Sequence, residues 1–192
     1  MVAGESLNWP EIPDASLAEM AAGGTERAFE QLLARHRLRI LRICLRMLND
    51  KIEAEEAAQD IFVKVYYHLK DYDKAREFIV WCSAIAINEC RDRLRKRQRA
   101  AKTFRQLSDA DKAEINPDND ARDDSRKRLL LAEAALARLP DKLKEVIVLK
   151  AYGDYSYEEI AKILRVRLGT VMSRLFRARK KLTDIINRGE IY

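Results

Sequence analysis

Apolar positions along the first hundred residues recur at steps of three and four, the period of a helix buried on one side, and nothing in the pattern suggests strands. Phe29, Leu32, Leu33, His36, Ile40, Ile43, Cys44 and Met47 trace one such face, and Asn49-Asp50 marks its end. A second helix is predicted from Glu53 to Leu69, with Ala54, Ala58, Ile61, Val65 and Leu69 turned inward. Its other side carries Glu56, Gln59, Asp60, Val63 and Lys64. A short polar loop, Asp71 to Arg76, precedes a third helix that starts near Phe78 and carries Trp81, Cys82, Ile85, Cys90 and Leu94. On its polar side stand Ala84, Asn88, Arg91 and Arg95.

The second half repeats the helical period in shorter pieces. Leu129, Leu130, Leu136 and Leu139 precede a break at Pro140, and Pro140-Asp141 opens a helix holding Val146, Ile147 and Leu149. After Gly153-Asp154, Ser156 and Glu159 have capping-box spacing, in which each side chain satisfies a free backbone N–H of the other. The helix they open, Tyr157 to Leu164, is followed by a brief turn, Arg165-Val166-Arg167, and by a long helix from about Gly169 to Asn187. Glycine would adopt a left-handed turn conformation at little cost, so either Arg165 is strained there or the turn differs slightly.

Charge then divides the chain. Arg91 to Arg105 holds eight basic residues against Asp92 alone, whereas Gln106 to Ser125 holds seven acids against Lys112 and Arg122. Asn116-Pro117 disfavours continuous helix within that acidic stretch. The simplest organisation is all-α: two small helical domains joined by an acidic flexible linker, the C-terminal one a helix-turn-helix. The expected boundaries are an N-terminal extension at 1–13, a first domain at 14–101, the linker at 102–125 and a second domain at 126–192.

Composition narrows the function. The net charge of +6 favours a polyanionic partner, though weakly. No apolar run reaches the roughly 18–20 residues of a membrane helix, and the start has no basic, apolar leader, which together favour a cytoplasmic protein without stable membrane insertion. Cys44, Cys82 and Cys90 lie within helical patterns, and His36 and His68 are isolated, so packing or surface roles are expected rather than a metal or redox site. No phosphate-loop, dinucleotide, nucleophile-elbow or zinc-protease motif occurs; no cofactor and no catalysis are expected.

A short helix, a tight turn and a longer basic helix make a DNA-binding unit if the last helix has two faces. Val171, Leu175, Ala178 and Leu182 can pack inward, which leaves Met172, Ser173, Phe176 and Arg177 together outside. Arginine suits guanine acceptors, Phe or Met suits thymine methyls, and serine suits either kind of partner. Arg165, Arg167, Thr170, Arg174, Arg179, Lys180 and Lys181 are placed for phosphates.

Ala135-Leu-Ala-Arg-Leu-Pro140, Tyr155-Ser-Tyr-Glu-Glu-Ile-Ala161 and Gly169-Thr-Val-Met-Ser-Arg-Leu-Phe-Arg-Ala-Arg179 resemble the C-terminal domain of the extracytoplasmic-function (ECF) sigma factors. Ala28-Phe-Glu-Gln-Leu-Leu33, Glu55-Glu-Ala-Ala-Gln-Asp-Ile-Phe-Val-Lys-Val-Tyr66 and Phe78-Ile-Val-Trp81 through Ile85-Ala-Ile-Asn88 are similar to the family's N-terminal domain, region 2. The resemblance covers about residues 17–100 and 128–184 in the expected order.

It implies an alternative sigma factor, not an enzyme, that binds core RNA polymerase at its clamp and flap and reads promoter DNA, a monomer when free. Glu56, Gln59, Asp60, Val63 and Lys64 would meet the clamp. Asp73, Lys74, Arg76, Asn88, Arg91 and Arg95 would act at the −10 element, the loop capturing a flipped base, with Arg93 and Lys96 on phosphates. The −35 element would fall to the C-terminal helix-turn-helix, region 4. Ala84 and Ile85 stand where housekeeping sigma factors carry aromatic wedges, which implies weaker melting and stricter sequence demands. Met172 replaces the family's usual basic residue, so one −35 contact becomes apolar. An anti-sigma factor that occludes both domains until a stress signal arrives is also implied, and an inner-membrane anti-sigma factor would hold the chain there. Two points stay open: Trp81 suits either the core or base stacking, and the linker either tethers the domains or threads the polymerase channel. The main rival is an ordinary helix-turn-helix regulator whose first domain dimerises or senses a ligand.

Overall fold

The structure, a computed structural model, describes residues 8–107 and 124–187, with side chains at 8–103 and 131–187. The acidic stretch expected to be a linker lies mostly outside the described residues. Eight α-helices follow in order: α1 Asp14–Ala22, α2 Glu26–Leu48, α3 Lys51–Tyr67, α4 Phe78–Leu107, α5 Asp124–Ala137, α6 Asp141–Ala151, α7 Tyr157–Leu164 and α8 Leu168–Asn187. Short 3-10 turns occupy Trp9–Glu11 and Leu69–Asp71, and there is no strand among the described residues.

The centre of the first domain is α2. Leu32, Ile40, Ile43, Cys44 and Met47 are fully buried along it, and α1, α3 and α4 pack against it. Asn49 ends the helix in a left-handed conformation (φ 54°), and Asp50 starts α3 by accepting the N–H of Glu53 at 2.8 Å. On α3, Ala57 is buried while Ala58 is half-buried, a slight rotation of the expected inward face. The predicted third helix is α4, which continues through Leu107, past the expected start of the linker. All three cysteines are free and buried. Burial pushes the Cys82 thiol up, and a hydrogen bond to Cys44 together with burial does the same for Cys90.

The helix-period reading passed over α1 and the turn before it. Arg35 on α2 donates to the carbonyls of Trp9 (3.0 Å), Pro10 (2.8 Å) and Ile12 (2.8 Å) and to the Asp14 carboxylate (2.6 Å). Arg27 lies over the Trp9 ring at 5.1 Å. His36 meets the other Asp14 oxygen at 2.6 Å. One guanidinium thus ties an entire N-terminal segment to the helix that leads the domain. Pro13-Asp14 at the start and Gly23-Gly24 after the end were the sequence signals for α1.

Burial pushes the Asp14 carboxyl up, but the bonds and charges of His36 and Arg35 outweigh it and hold its pKa below the ordinary 3.8. A depressed folded pKa stabilises the fold above the unfolded value and is lost as pH falls through and below 3.8. Asp14→Asn should therefore lower the urea midpoint at pH 7, by about 1–2 kcal/mol in stability. The gap between variant and wild type should narrow on acidification toward pH 3, and a gap independent of pH would rule out this role for the carboxylate.

Candidate nucleic-acid interface

Both halves of the capping box at the start of α7 are made: Glu159 N–H donates to Ser156 Oγ at 3.1 Å, and Ser156 N–H donates to the Glu159 carboxylate at 2.5 Å. Arg165 closes α7 in the left-handed region (φ 53°, ψ 49°), and Val166 N–H reaches back to the Ala161 carbonyl at 3.0 Å. Of the two alternatives for this non-glycine turn, the left-handed conformation that strains Arg165 is the one present. It sets the angle at which α8 leaves.

On α8, Val171, Leu175 and Ala178 are buried against α6 and α7, Leu182 is partly buried and Ile185 extends the inner face. The outer face carries Met172, 53% exposed, and Phe176, 70% exposed, beside Ser173 and Arg177. Ser173 Oγ donates to the Thr170 carbonyl at 3.1 Å and Arg177 Nε to the Ser173 carbonyl at 3.3 Å. Arg165, Arg167, Arg179, Lys180 and Lys181 are exposed, while Thr170 and Arg174 are half-buried. Among the described residues, none of these cations has a carboxylate within 4.0 Å. An exposed aromatic set in a row of unpaired cations is the surface that a groove lined with phosphates would cover.

The first domain arranges its charges differently. Arg93 pairs with Glu89 (2.8 Å), with Asp60 and, at 3.7 Å, with Glu56; Lys64 pairs with Glu89. The expected strip on α3 is therefore exposed but divided. Glu56, Asp60 and Lys64 are engaged by α4, whereas Gln59 and Val63 rim a groove between α2 and α3. This groove, about 690 Å³, is lined by Phe29, Leu33, Leu41, Phe62, Tyr66 and Tyr67. Phe29 and Tyr66 meet edge to face at 5.0 Å, and Tyr67 is 77% exposed. Sequence reasoning missed the tyrosines; Phe62, Val63, Tyr66 and Tyr67 on successive turns make α3 apolar on two sides, which was the available signal.

Asp73, Lys74 and Arg76 sit together on the exposed loop before α4. Asp73 accepts the Ala75 N–H at 3.0 Å, Tyr72 donates to the Arg76 carbonyl at 2.5 Å, and Lys74 pairs with Glu19 of α1 at 2.6 Å. A cleft of about 370 Å³ opens there, with Asp14, Tyr72, Arg76 and Phe78 in its wall. Trp81 is half-buried, 5.2 Å from the Tyr72 ring and 5.8 Å from Phe78, a packing position. Asn88 and Arg95 are exposed, Arg95 lying 3.3 Å from Asp92. Arg91 departs from expectation: it is half-buried and bound to Glu145 of α6 rather than free.

Residues 32–100 match the family Sigma-70 region 2, and residues 129–182 match Sigma-70, region 4. The chain is 33% identical to RNA polymerase sigma factor CnrH of Cupriavidus metallidurans, over 93% of this chain and 96% of that protein. It is 31% identical to the ECF RNA polymerase sigma factor SigW of Bacillus subtilis, over 83% and 89% respectively. The chain belongs to the ECF sigma factors. Among solved structures, CnrH in complex with the cytosolic domain of CnrY aligns with a TM-score of 0.70 at 29% identity, covering 91% of this chain and 97% of that one. The sigma factor RpoE of Bartonella quintana, in complex with the anti-sigma factor NepR, has the same fold (TM-score 0.66, 24% identity, 83% and 96% coverage). This sigma factor is thus an alternative transcription initiation factor whose region 2 comprises the groove and the α4 face, and whose region 4 presents α8. No described helix is long and apolar enough to cross a membrane.

Glycine at 165 would relieve the left-handed strain while deleting one exposed cation. Arg165→Gly should raise the melting temperature, by up to about 1 kcal/mol in stability, and weaken DNA binding more steeply at low salt than at high salt. An unchanged or lower melting temperature would show that the turn is not strained.

Proposed function

We propose that this sigma factor binds core RNA polymerase through region 2 and places two DNA-reading surfaces on one promoter. The observation that carries the proposal is the outer face of α8, where Met172 and Phe176 stand exposed within a row of unpaired cations. Met172, Ser173, Phe176 and Arg177 read base edges of the −35 element in the major groove, and Arg165, Arg167, Thr170, Arg174, Arg179 and Lys180 hold its phosphates. On region 2, Gln59 and Val63 dock on the polymerase clamp, with Glu56, Asp60 and Lys64 supplying charge at the edge of the contact. Region 4 meets the polymerase flap.

The loop bearing Asp73, Lys74 and Arg76 takes one base of the separated −10 strand, and the cleft beside it offers room for an unstacked base. Asn88, Arg91 and Arg95 face the same strand from α4. The similar sigma factors of known structure were solved with anti-sigma partners, which supports control of this chain by an anti-sigma factor in the cytoplasm.

Run-off transcription with core polymerase, on genomic fragments that include the DNA upstream of this gene, tests the proposal. Arg177→Ala should lower promoter-specific transcripts by about tenfold, the value of one good base contact, and leave polymerase binding intact. Val63→Glu should do the reverse and abolish polymerase association first. Val63 is a cleaner probe than Asp60, whose replacement would also release Arg93. Loss of both activities together in either variant would refute the two-surface assignment, and tight binding to duplex DNA without polymerase would point to an ordinary regulator.

A further inference from the structure

Regions 2 and 4 meet across a seam of polar and aromatic side chains. Tyr155, in the turn between α6 and α7, is fully buried, and its hydroxyl bonds the equally buried Ser83 hydroxyl on α4. The Ile79 carbonyl accepts from the same hydroxyl at 3.5 Å, and Arg39 of α2 lies over the ring at 4.7 Å. Gly153 makes this position possible. A Cβ there would stand 2.5 Å from the Tyr155 ring and 2.8 Å from the Leu149 carbonyl. Farther along, Arg46 of α2 lies over Tyr152 at 4.8 Å and pairs with Glu133 of α5.

The decisive pair lies on α4 and α6. Glu145 is 2% exposed, a position that strongly disfavours a lone carboxylate. Both its oxygens are satisfied by one guanidinium: Arg91 Nε donates at 2.5 Å and Nη2 at 2.7 Å. The third nitrogen, Nη1, donates to Asn88 Oδ1 at 3.1 Å. All three guanidinium nitrogens are therefore used inside the protein, together with the acceptor atom of Asn88. A planar guanidinium receives two oxygens of a carboxylate or of a phosphate in the same fork.

We propose that the α2/α4 face of region 2 is a docking surface for the chain's own region 4, in which Glu145 occupies on Arg91 the place of a promoter phosphate, so that closure and −10 engagement exclude one another. This rests on the assignment of Arg91 and Asn88 to −10 DNA made above. The occupant is given by the structure itself, with its carboxylate and aromatics set against Arg39, Arg46 and Arg91. Opening strips Glu145 of its partner but leaves it free to hydrate, so the same residue is tolerated in both states.

Closure can be read on the free, full-length chain by electron–electron distance measurement between spin labels at Ile52→Cys on α3 and Lys181→Cys on α8; both positions are exposed, whereas the native cysteines are buried. A single short distance is expected. Glu145→Arg and Arg91→Glu should each spread it to longer values, and the double charge swap should restore it, with helical content by circular dichroism equal throughout. Core polymerase should lengthen the distance in the otherwise wild-type chain. A short distance that survives either single change, fails to return in the swap, or persists in chain that co-elutes with polymerase overturns the proposal.

The competition with DNA is tested by anisotropy with a labelled mixed-sequence single strand. Glu145→Gln should tighten binding about threefold, and the gain should vanish in an Arg91→Ala background, the sign of coupling between the two positions. An equal gain in both backgrounds overturns the phosphate-mimic role. These distances do not depend on transcription. Failed run-off by the wild-type chain would therefore defeat the functional reading and leave the closure result standing.

Discussion

Every part of this fold depends on the burial of the apolar ridge of α2. The helix is 23 residues long, and Leu32, Ile40, Ile43, Cys44, Met47 and Leu48 along it are inaccessible to water. Hydrophobic burial is non-directional, so an extended apolar ridge accepts helices at several angles at once. Helices α1, α3 and α4 take most of it, and α5 and α6 lie against its remaining side. Direction comes instead from the arginines between the apolar positions. Arg35 gathers the N-terminal segment, Arg39 faces Tyr155, and Arg46 meets Glu133 and Tyr152.

The same cation serves two purposes in this chain, and solvent exposure separates them. In region 2, Arg91, Arg93 and Arg97 are each matched to carboxylates on neighbouring helices, and their contribution is orientation of the bundle. On α8 the cations have no carboxylate partner among the described residues, and most of them face solvent. Unpaired surface charge costs little in water and yields long-range attraction to DNA. Paired, partly desolvated charge yields geometry. Arg91 stands between these classes, since its anion comes from a domain that can leave.

The helix-turn-helix was the most legible part of the molecule, because its signals are local. A capping box spans four residues, a left-handed turn one, and the two faces of α8 follow from spacing along a single helix. The end of α2 at Asn49 was legible for the same reason. The groove between α2 and α3 was half legible: Gln59 and Val63 were singled out as exposed, but Tyr66 and Tyr67 were not, because their aromatic side borders α2 rather than the polar strip. Trp81 could be assigned only once Tyr72 and Phe78 were seen around it.

The sequence by itself determined the helices from α2 onward, their order, the chemistry of α8 and the family, since each is encoded in the identity and spacing of near neighbours. Tertiary structure alone decided which charges are free. Arg35 acts on residues 21 to 26 positions away, Arg93 meets Asp60 33 positions earlier, and Tyr155 reaches Ser83 across 72. No local period carries such pairings, because they form only when separate apolar faces have been buried against one another. Arg91 is the plainest case: its place on a polar, basic face suggested an open DNA contact, and only the packing of α6 against the first domain revealed the carboxylate already seated on it.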